Sequence, residues 1–289
     1  MYRMRQVFTG NRRLTSLVAA LGLLLGTAAV QVSTAGPAAA LPGQQTVVAR
    51  VPYQSSSSVT LDAVCPAGLR VIGGGGSIGP QLGPDKVFLT QSYPINQSTW
   101  RVRAAEVAPG WDGQWALNAF AICANPLNGY EIVKGNSGPG VATFKTTYTP
   151  TCADHKKVFS AGGAVIDAPV GQVGLTMIRP DGPLTIGRAS ARVAPAGYWG
   201  SWSVNSYAIC ANPVPGLAGT SAIAADRIGL VVSCPSGQRI TGPGGGGGLI
   251  DLGPYYLQEL APVADQGVTV RMTGLQQGGT LAQVTCSAT

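Results

Sequence analysis

Apolar and polar positions alternate along this chain in short runs, without helical periods. In WRVRAAEV (100–107), Trp100, Val102 and Ala104 fall on one side, Arg101 and Arg103 on the other. That period of two is the mark of a half-buried strand. TVVARV (46–51), VTLDAVC (59–65), KVFLTQSYP (86–94), WALNAFAIC (115–123) and VTVRM (268–272) are further short runs, bounded by Gly, Pro, Asn and Ser. The predicted class is all-β with many turns. Pro94 and Pro180 are expected to stop the strands that precede them.

The runs recur as a set. CPAGLRVIGGGG (65–76) returns as CADHKKVFSAGG (152–163) and CPSGQRITGPGG (234–245). Five residues after each cysteine stands a basic residue: Arg70, Lys157 or Arg239. Ten and eleven after it stand paired glycines: Gly75 and Gly76, Gly162 and Gly163, Gly244 and Gly245. WALNAFAICANP (115–126) is matched by WSVNSYAICANP (202–213). The third copy is shorter and lacks the tryptophan. Residues 41–289 therefore read as a single β domain of three repeats, about 44–134, 139–217 and 222–289, joined by Pro/Gly/Asn-rich connectors at 125–140 and 212–222.

Each repeat is expected to supply four or five strands with one apolar face, which it cannot bury alone. The predicted architecture is three antiparallel sheets around a pseudo-threefold axis, a β-prism-like fold, with a β-trefoil or open sandwich as alternatives. The paired glycines fit close backbone approach near such an axis. A phosphate cradle fits less well: GGGSIG (74–79) opens no helix, and no GK[ST] follows any glycine run. Six cysteines allow 15 pairings. The repeats favour one bond in each, Cys65 with Cys123, Cys152 with Cys210 and Cys234 with Cys286.

Residues 1–40 carry four arginines, no acid and the apolar run LVAALGLLLGTAAV, ending in small residues around Ala38 and Ala40. This is the pattern of a secretory signal peptide, and it predicts a secreted, extracellular protein with no membrane span after cleavage. The net charge is +7. Removing the leader leaves 15 basic residues against 12 acidic ones, a balance of +3. With no basic stripe, nucleic acid is not an expected partner.

Candidate chemistry is sparse. No CxxC occurs and His155 is the one histidine, so no metal or cofactor is expected. His155, beside two lysines in a turn, reads as a surface residue. GNSGPG (135–140) lacks the context of a serine nucleophile. Glu106, Asp112, Asp181 and Asp251 are the acids that a glycoside hydrolase would have to bring together. The chain is expected not to be an enzyme. What remains is binding. Loop aromatics stand at Trp111 beside Asp112, at Tyr198-Trp199 and at Tyr255-Tyr256. They are candidates for platforms on which a sugar ring stacks, or for lids folded over the core. Trp115 and Trp202, within strands, are expected in the core.

The pattern CPxGxxVxGGG…SYP…W…AxAICA resembles a repeat of secreted actinobacterial proteins, which implies the architecture and no activity. The three-repeat plan is also similar, by repeat count and glycine placement, to the β-prism of vitelline membrane outer layer proteins. The expected function is a secreted, non-enzymatic protein that binds carbohydrate or a cell-envelope polymer. The alternatives are a structural, coat-like extracellular protein and, third, a glycoside hydrolase.

Overall fold

The computed structural model describes residues 41–79, 86–225, 229–247, 255–273 and 279–288; the leader reading for residues 1–40 lies outside them. The described chain contains 18 strands. Repeat one holds β1 (Gln45–Gln54), β2 (Ser58–Val64), β3 (Arg70–Ile78), β4 (Val87–Asn96), β5 (Thr99–Glu106) and β6 (Trp115–Ala124). Repeat two holds β7 (Glu131–Asn136), β8 (Phe144–Tyr148), β9 (Lys157–Ile166), β10 (Val173–Pro180), β11 (Gly187–Val193) and β12 (Ser203–Ala211). Repeat three holds β13 (Ala218–Ala224), β14 (Gly229–Ser233), β15 (Gln238–Gly247), β16 (Leu257–Val263), β17 (Gly267–Met272) and β18 (Thr280–Ala288). Each repeat thus has six strands where its sequence suggested four or five. In repeats two and three the connectors hide the difference, since β7 lies in the first and β13 begins in the second. Among the described residues no helix is long and apolar enough to cross a membrane.

The strands form three six-stranded antiparallel sheets, a β-prism-like plan with threefold repetition. Sheet I has the order β1-β6-β3-β16-β17-β14, sheet II β13-β18-β15-β10-β11-β8, and sheet III β2-β5-β4-β9-β12-β7. The sequence suggested one sheet from each repeat, but every sheet is shared by two repeats. Every repeat divides into two three-stranded halves, and each half completes a sheet with a half of another repeat. The exchange is cyclic: β3 pairs with β16, β9 with β4, and β15 with β10. Repeat one therefore closes the ring onto repeat three.

The three seams use matching residues. Gly76 faces Leu260, Gly163 faces Ser92, and Gly245 faces Ile178. The glycines are the eleventh residues after the cysteines; their partners stand two residues before Pro262, Pro94 and Pro180. Those prolines do not all end strands, since Pro94 lies inside β4 and Pro262 inside β16. The β4–β9 pairing ends at Ser92, short of the proline that could not donate to it.

The glycine strands leave no room for side chains. A Cβ on Gly75 would lie 1.8 Å from the Leu260 carbonyl oxygen, and one on Gly73 2.1 Å from that of Thr241. On Gly74 it would strike the Trp100 ring at 2.4 Å. Six bulges repeat with the threefold plan. Ile72, Phe159 and Thr241 bulge from β3, β9 and β15, and Thr90, Thr176 and Gln258 from β4, β10 and β16. A bulge sharpens the local bend, here on the strands that meet at the seams.

Between the sheets lies a core in which Trp100, Trp115, Trp202, Phe159 and Leu175 are fully buried. Each such tryptophan removes roughly 200 Å² from water, on the order of 5 kcal/mol before entropy. The disulfides are Cys65–Cys123, Cys152–Cys210 and Cys234–Cys286, with sequence separations of 58, 58 and 52. Each links a cysteine just past β2, β8 or β14 to one in β6, β12 or β18. Since those strands lie in different sheets, every bond ties two sheets together. Loop closure of this size stabilises by roughly 4 kcal/mol.

Gly75→Val should destabilise by about 3 kcal/mol or more, because the Leu260 carbonyl cannot retreat without opening the seam. Gly68→Ala, in open space at φ 87°, should lose about 1–2 kcal/mol from backbone strain alone. Urea unfolding of both variants measures the difference. A chain ended after Ala211 loses half of sheets I and II and should show no cooperative unfolding transition by circular dichroism.

Candidate ligand-binding surface

The β5–β6 loop is built around a buried carboxylate. Glu106, 5 % exposed, accepts the Trp111 backbone N–H through Oε2 at 3.1 Å and the Trp115 indole N–H through Oε1 at 3.1 Å. The Trp115 N–H is shared with the Ser56 carbonyl at 3.0 Å. Trp111 lies over Gly113, where a Cβ would meet its ring at 1.9 Å. Its half-buried ring packs against the core, which is the lid arrangement. Asp112 is exposed.

The β11–β12 loop repeats this design with a different outcome. Counting back from Trp115 and Trp202, Tyr198 matches Trp111, and Trp199 matches Asp112. Tyr198 lies over Gly200, where a Cβ would meet its hydroxyl at 2.1 Å, and it packs against the core as Trp111 does. Trp199 points away and is 80 % exposed. Trp202 is fully buried; its indole N–H donates to the Ala142 carbonyl at 2.9 Å, and the Lys145 ammonium stands 5.2 Å from its ring centroid. Burial holds the Lys145 ammonium below its usual pKa.

Tyr255 and Tyr256 are a correction to the platform reading: they are 4 % and 3 % exposed. They enter β16 and do not belong to the loop that matches the other two, part of which (274–278) lies outside the described residues. Tyr256 stands six residues before Pro262, as Phe88 and Gly174 stand before Pro94 and Pro180. The three positions meet. The Phe88 and Tyr256 rings lie 4.9 Å apart, and a Cβ on Gly174 would strike both. The Tyr256 hydroxyl donates to the Val193 carbonyl at 2.8 Å, and burial pushes its pKa up to about 12.

Among the described residues no cluster of His, Cys, Asp and Glu could hold a metal ion. Of the hydrolase acids, Asp112 follows Glu106 in the β5–β6 loop, and Asp181 stands apart from Glu106. The Glu106 backbone lies against Gly171, just before β10, whereas Asp181 follows the end of that eight-residue strand, roughly 25 Å further along. Asp181 accepts the N–H and hydroxyl of Thr185, both at 2.6 Å, and so belongs to its turn. Asp251 lies outside the described residues. His155 is exposed at φ 61°, in the place that Gly68 and Gly237 take at φ 87° and 75°.

The register also assembles three matching rows of residues, one across each sheet at the seam. Sheet III carries Asp62, Arg101 and Tyr93, then Gly162, Tyr207 and Lys134. Arg101 donates twice to Asp62 at 2.8 Å, and Tyr93 and Tyr207 stack at 4.5 Å across the glycine. That ion pair holds the Arg101 guanidinium above its usual pKa. In sheet I the same places hold Val231, Thr269, Ala261, Gly75, Phe120 and Val48. In sheet II they hold Tyr148, Arg188, Arg179, Gly244, Gln283 and Ser221. Burial, and then the neighbouring Arg188, hold Arg179 below its usual pKa. Sequence reading missed these rows. The available signal was the residue before each repeat proline: Tyr93, Arg179 and Ala261.

No protein-family model matches the chain, and no curated protein matches it.

Glu106→Ala should cost about 2 kcal/mol, because the Trp111 N–H loses its acceptor and Trp115 keeps only Ser56. Glu106→Gln, which retains one acceptor oxygen, should lose less. Urea titration followed by tryptophan fluorescence distinguishes the two.

Proposed function

We propose that the chain is a secreted, non-enzymatic protein that binds a carbohydrate or cell-envelope polymer, with Trp199 as its principal contact. The observation that carries this reading is the contrast between matched loops. Trp111 and Tyr198 fold back onto glycines, while Trp199 presents its ring to solvent at 80 % exposure. Tyr198 anchors that loop, so little ordering entropy is lost when a ligand stacks on the ring. An indole offers an apolar face and one N–H donor, which suits a sugar ring with its flanking hydroxyls. Three disulfides and no free cysteine fit an oxidising environment.

A coat-like extracellular role is the second reading. It is favoured by the sheet I row, whose two edge residues are exposed valines, Val231 at 57 % and Val48 at 38 %. Such a row invites self-association or a flat apolar partner.

The test is binding of residues 41–289 to a glycan array and to insoluble cell-wall polymers. Trp199→Ala should lose saturable binding by tenfold or more, while its stability stays within about 0.5 kcal/mol of wild type. Trp111→Ala should destabilise by about 2 kcal/mol or more, as lids do. Unchanged binding by Trp199→Ala, or no binding by wild type, would refute the carbohydrate reading. Concentration-dependent self-association would then support the coat-like one.

A further inference from the structure

We propose that the outer face of β8, β11 and β10 binds an oxyanion, the carboxylate or phosphate group of an acidic ligand, between Arg179 and Arg188 and beside the ring of Tyr148. The starting point is a cross-strand pair. Arg179 on β10 lies directly opposite Arg188 on β11. Like charges in that relation destabilise a sheet, and neither arginine makes an ion pair among the described residues. The nearby acid, Asp181, is engaged by Thr185 and by the Ile186 N–H at 3.1 Å. Arg179 also keeps a buried Nε without a hydrogen-bond partner.

The matching places in sheet III show what has changed. There the arginine, Arg101, has an aspartate on one side and a tyrosine on the other. In sheet II the aspartate has become Tyr148 and the tyrosine Arg179. The anion has been removed and a second cation added at one register position. Arg188 instead donates through Nε to the Thr146 hydroxyl at 3.2 Å and stands 5.6 Å from the Tyr148 ring centroid. These contacts hold the guanidinium without neutralising it.

The rest of the sheet supplies no compensating charge. The strands of sheet II carry five basic residues, Lys145, Arg179, Arg188, Arg192 and Arg239, and no acidic one. Those of sheet III carry four basic and three acidic residues. Arg239 is paired with Asp265, Lys145 is turned to backbone carbonyls, and Arg192 stands over Phe144. The Arg179–Arg188 pair is where the excess is concentrated. Two guanidinium groups offer the paired N–H donors that match carboxylate and phosphate oxygens.

The site does not depend on Trp199, so the two proposals fail separately. The experiment titrates wild type and Arg188→Gln with inorganic phosphate and, in a second arm, with glucuronate. Chloride keeps the ionic strength constant, and calorimetry and thermal unfolding are the readouts. Wild type should bind at least one of the anions saturably and gain melting temperature. Binding of glucuronate alone indicates an acidic sugar, and binding of phosphate a phosphorylated polymer. Arg188→Gln should bind at least about tenfold more weakly, and in chloride alone should be no less stable than wild type. Arg188→Lys, which keeps the charge without the fork, should show a partial loss and serves if the glutamine variant does not fold. Trp199→Ala should respond like wild type. Absence of saturable binding of both anions, equal binding by wild type and both Arg188 variants, or a marked loss of stability in chloride on removing Arg188 would overturn the site.

Discussion

The structure depends on backbone meeting backbone where three repeats come together. At each seam a glycine strand lies so close to the neighbouring chain that a single Cβ would strike its backbone, the Leu260 carbonyl at Gly75, the Thr176 carbonyl at Gly246 and the Tyr93 Cα at Gly162. The seams are narrow, and each joins halves of two different repeats. Their geometry controls whether three incomplete units become three complete sheets. Glycine is costly in strands because it gains no packing and loses much entropy. Here that cost is offset by the burial of Trp100, Trp115, Trp202 and their neighbours, which closing the ring makes available.

Exchange of halves also explains the position of the disulfides. A bond within one repeat becomes a bond between two sheets, because the repeat itself is divided between them. Cys65–Cys123, Cys152–Cys210 and Cys234–Cys286 therefore restrain the sheet junctions, although each closes only a local loop of sequence. Equivalent places need not carry identical residues. Phe88, Gly174 and Tyr256 share one crowded spot, where two aromatic rings leave space only for a glycine as the third.

With the interior committed to threefold packing, chemistry is left to the exterior. One register position at the seams carries a paired ion and stacked tyrosines on sheet III, apolar residues on sheet I and two arginines on sheet II. The loops diverge in the same way: a buried carboxylate and a lid in repeat one, an outward tryptophan in repeat two. A scaffold whose stability resides in backbone approach and core packing tolerates such divergence, since surface substitutions away from special features shift stability little.

The sequence by itself determined the class, the repeat and the cysteine pairing. Alternation of Trp100, Val102 and Ala104 records a local period, and cysteine and glycine spacings record a unit copied three times. It also placed Trp115 and Trp202 in the core, at the head of the runs that become β6 and β12. Tertiary structure decided which strands share a sheet, because β3 and β16 pair across the whole chain and no local pattern encodes a partner that distant. It also decided the fate of the loop aromatics. Trp111, Tyr198 and Trp199 are alike as residue types, and only the glycine beneath a ring and the direction of the loop separate a lid from an exposed face. Tyr255 and Tyr256 were buried, and Arg179 was set against Arg188, by the same cause: register across strands brings together residues that sequence distance keeps apart.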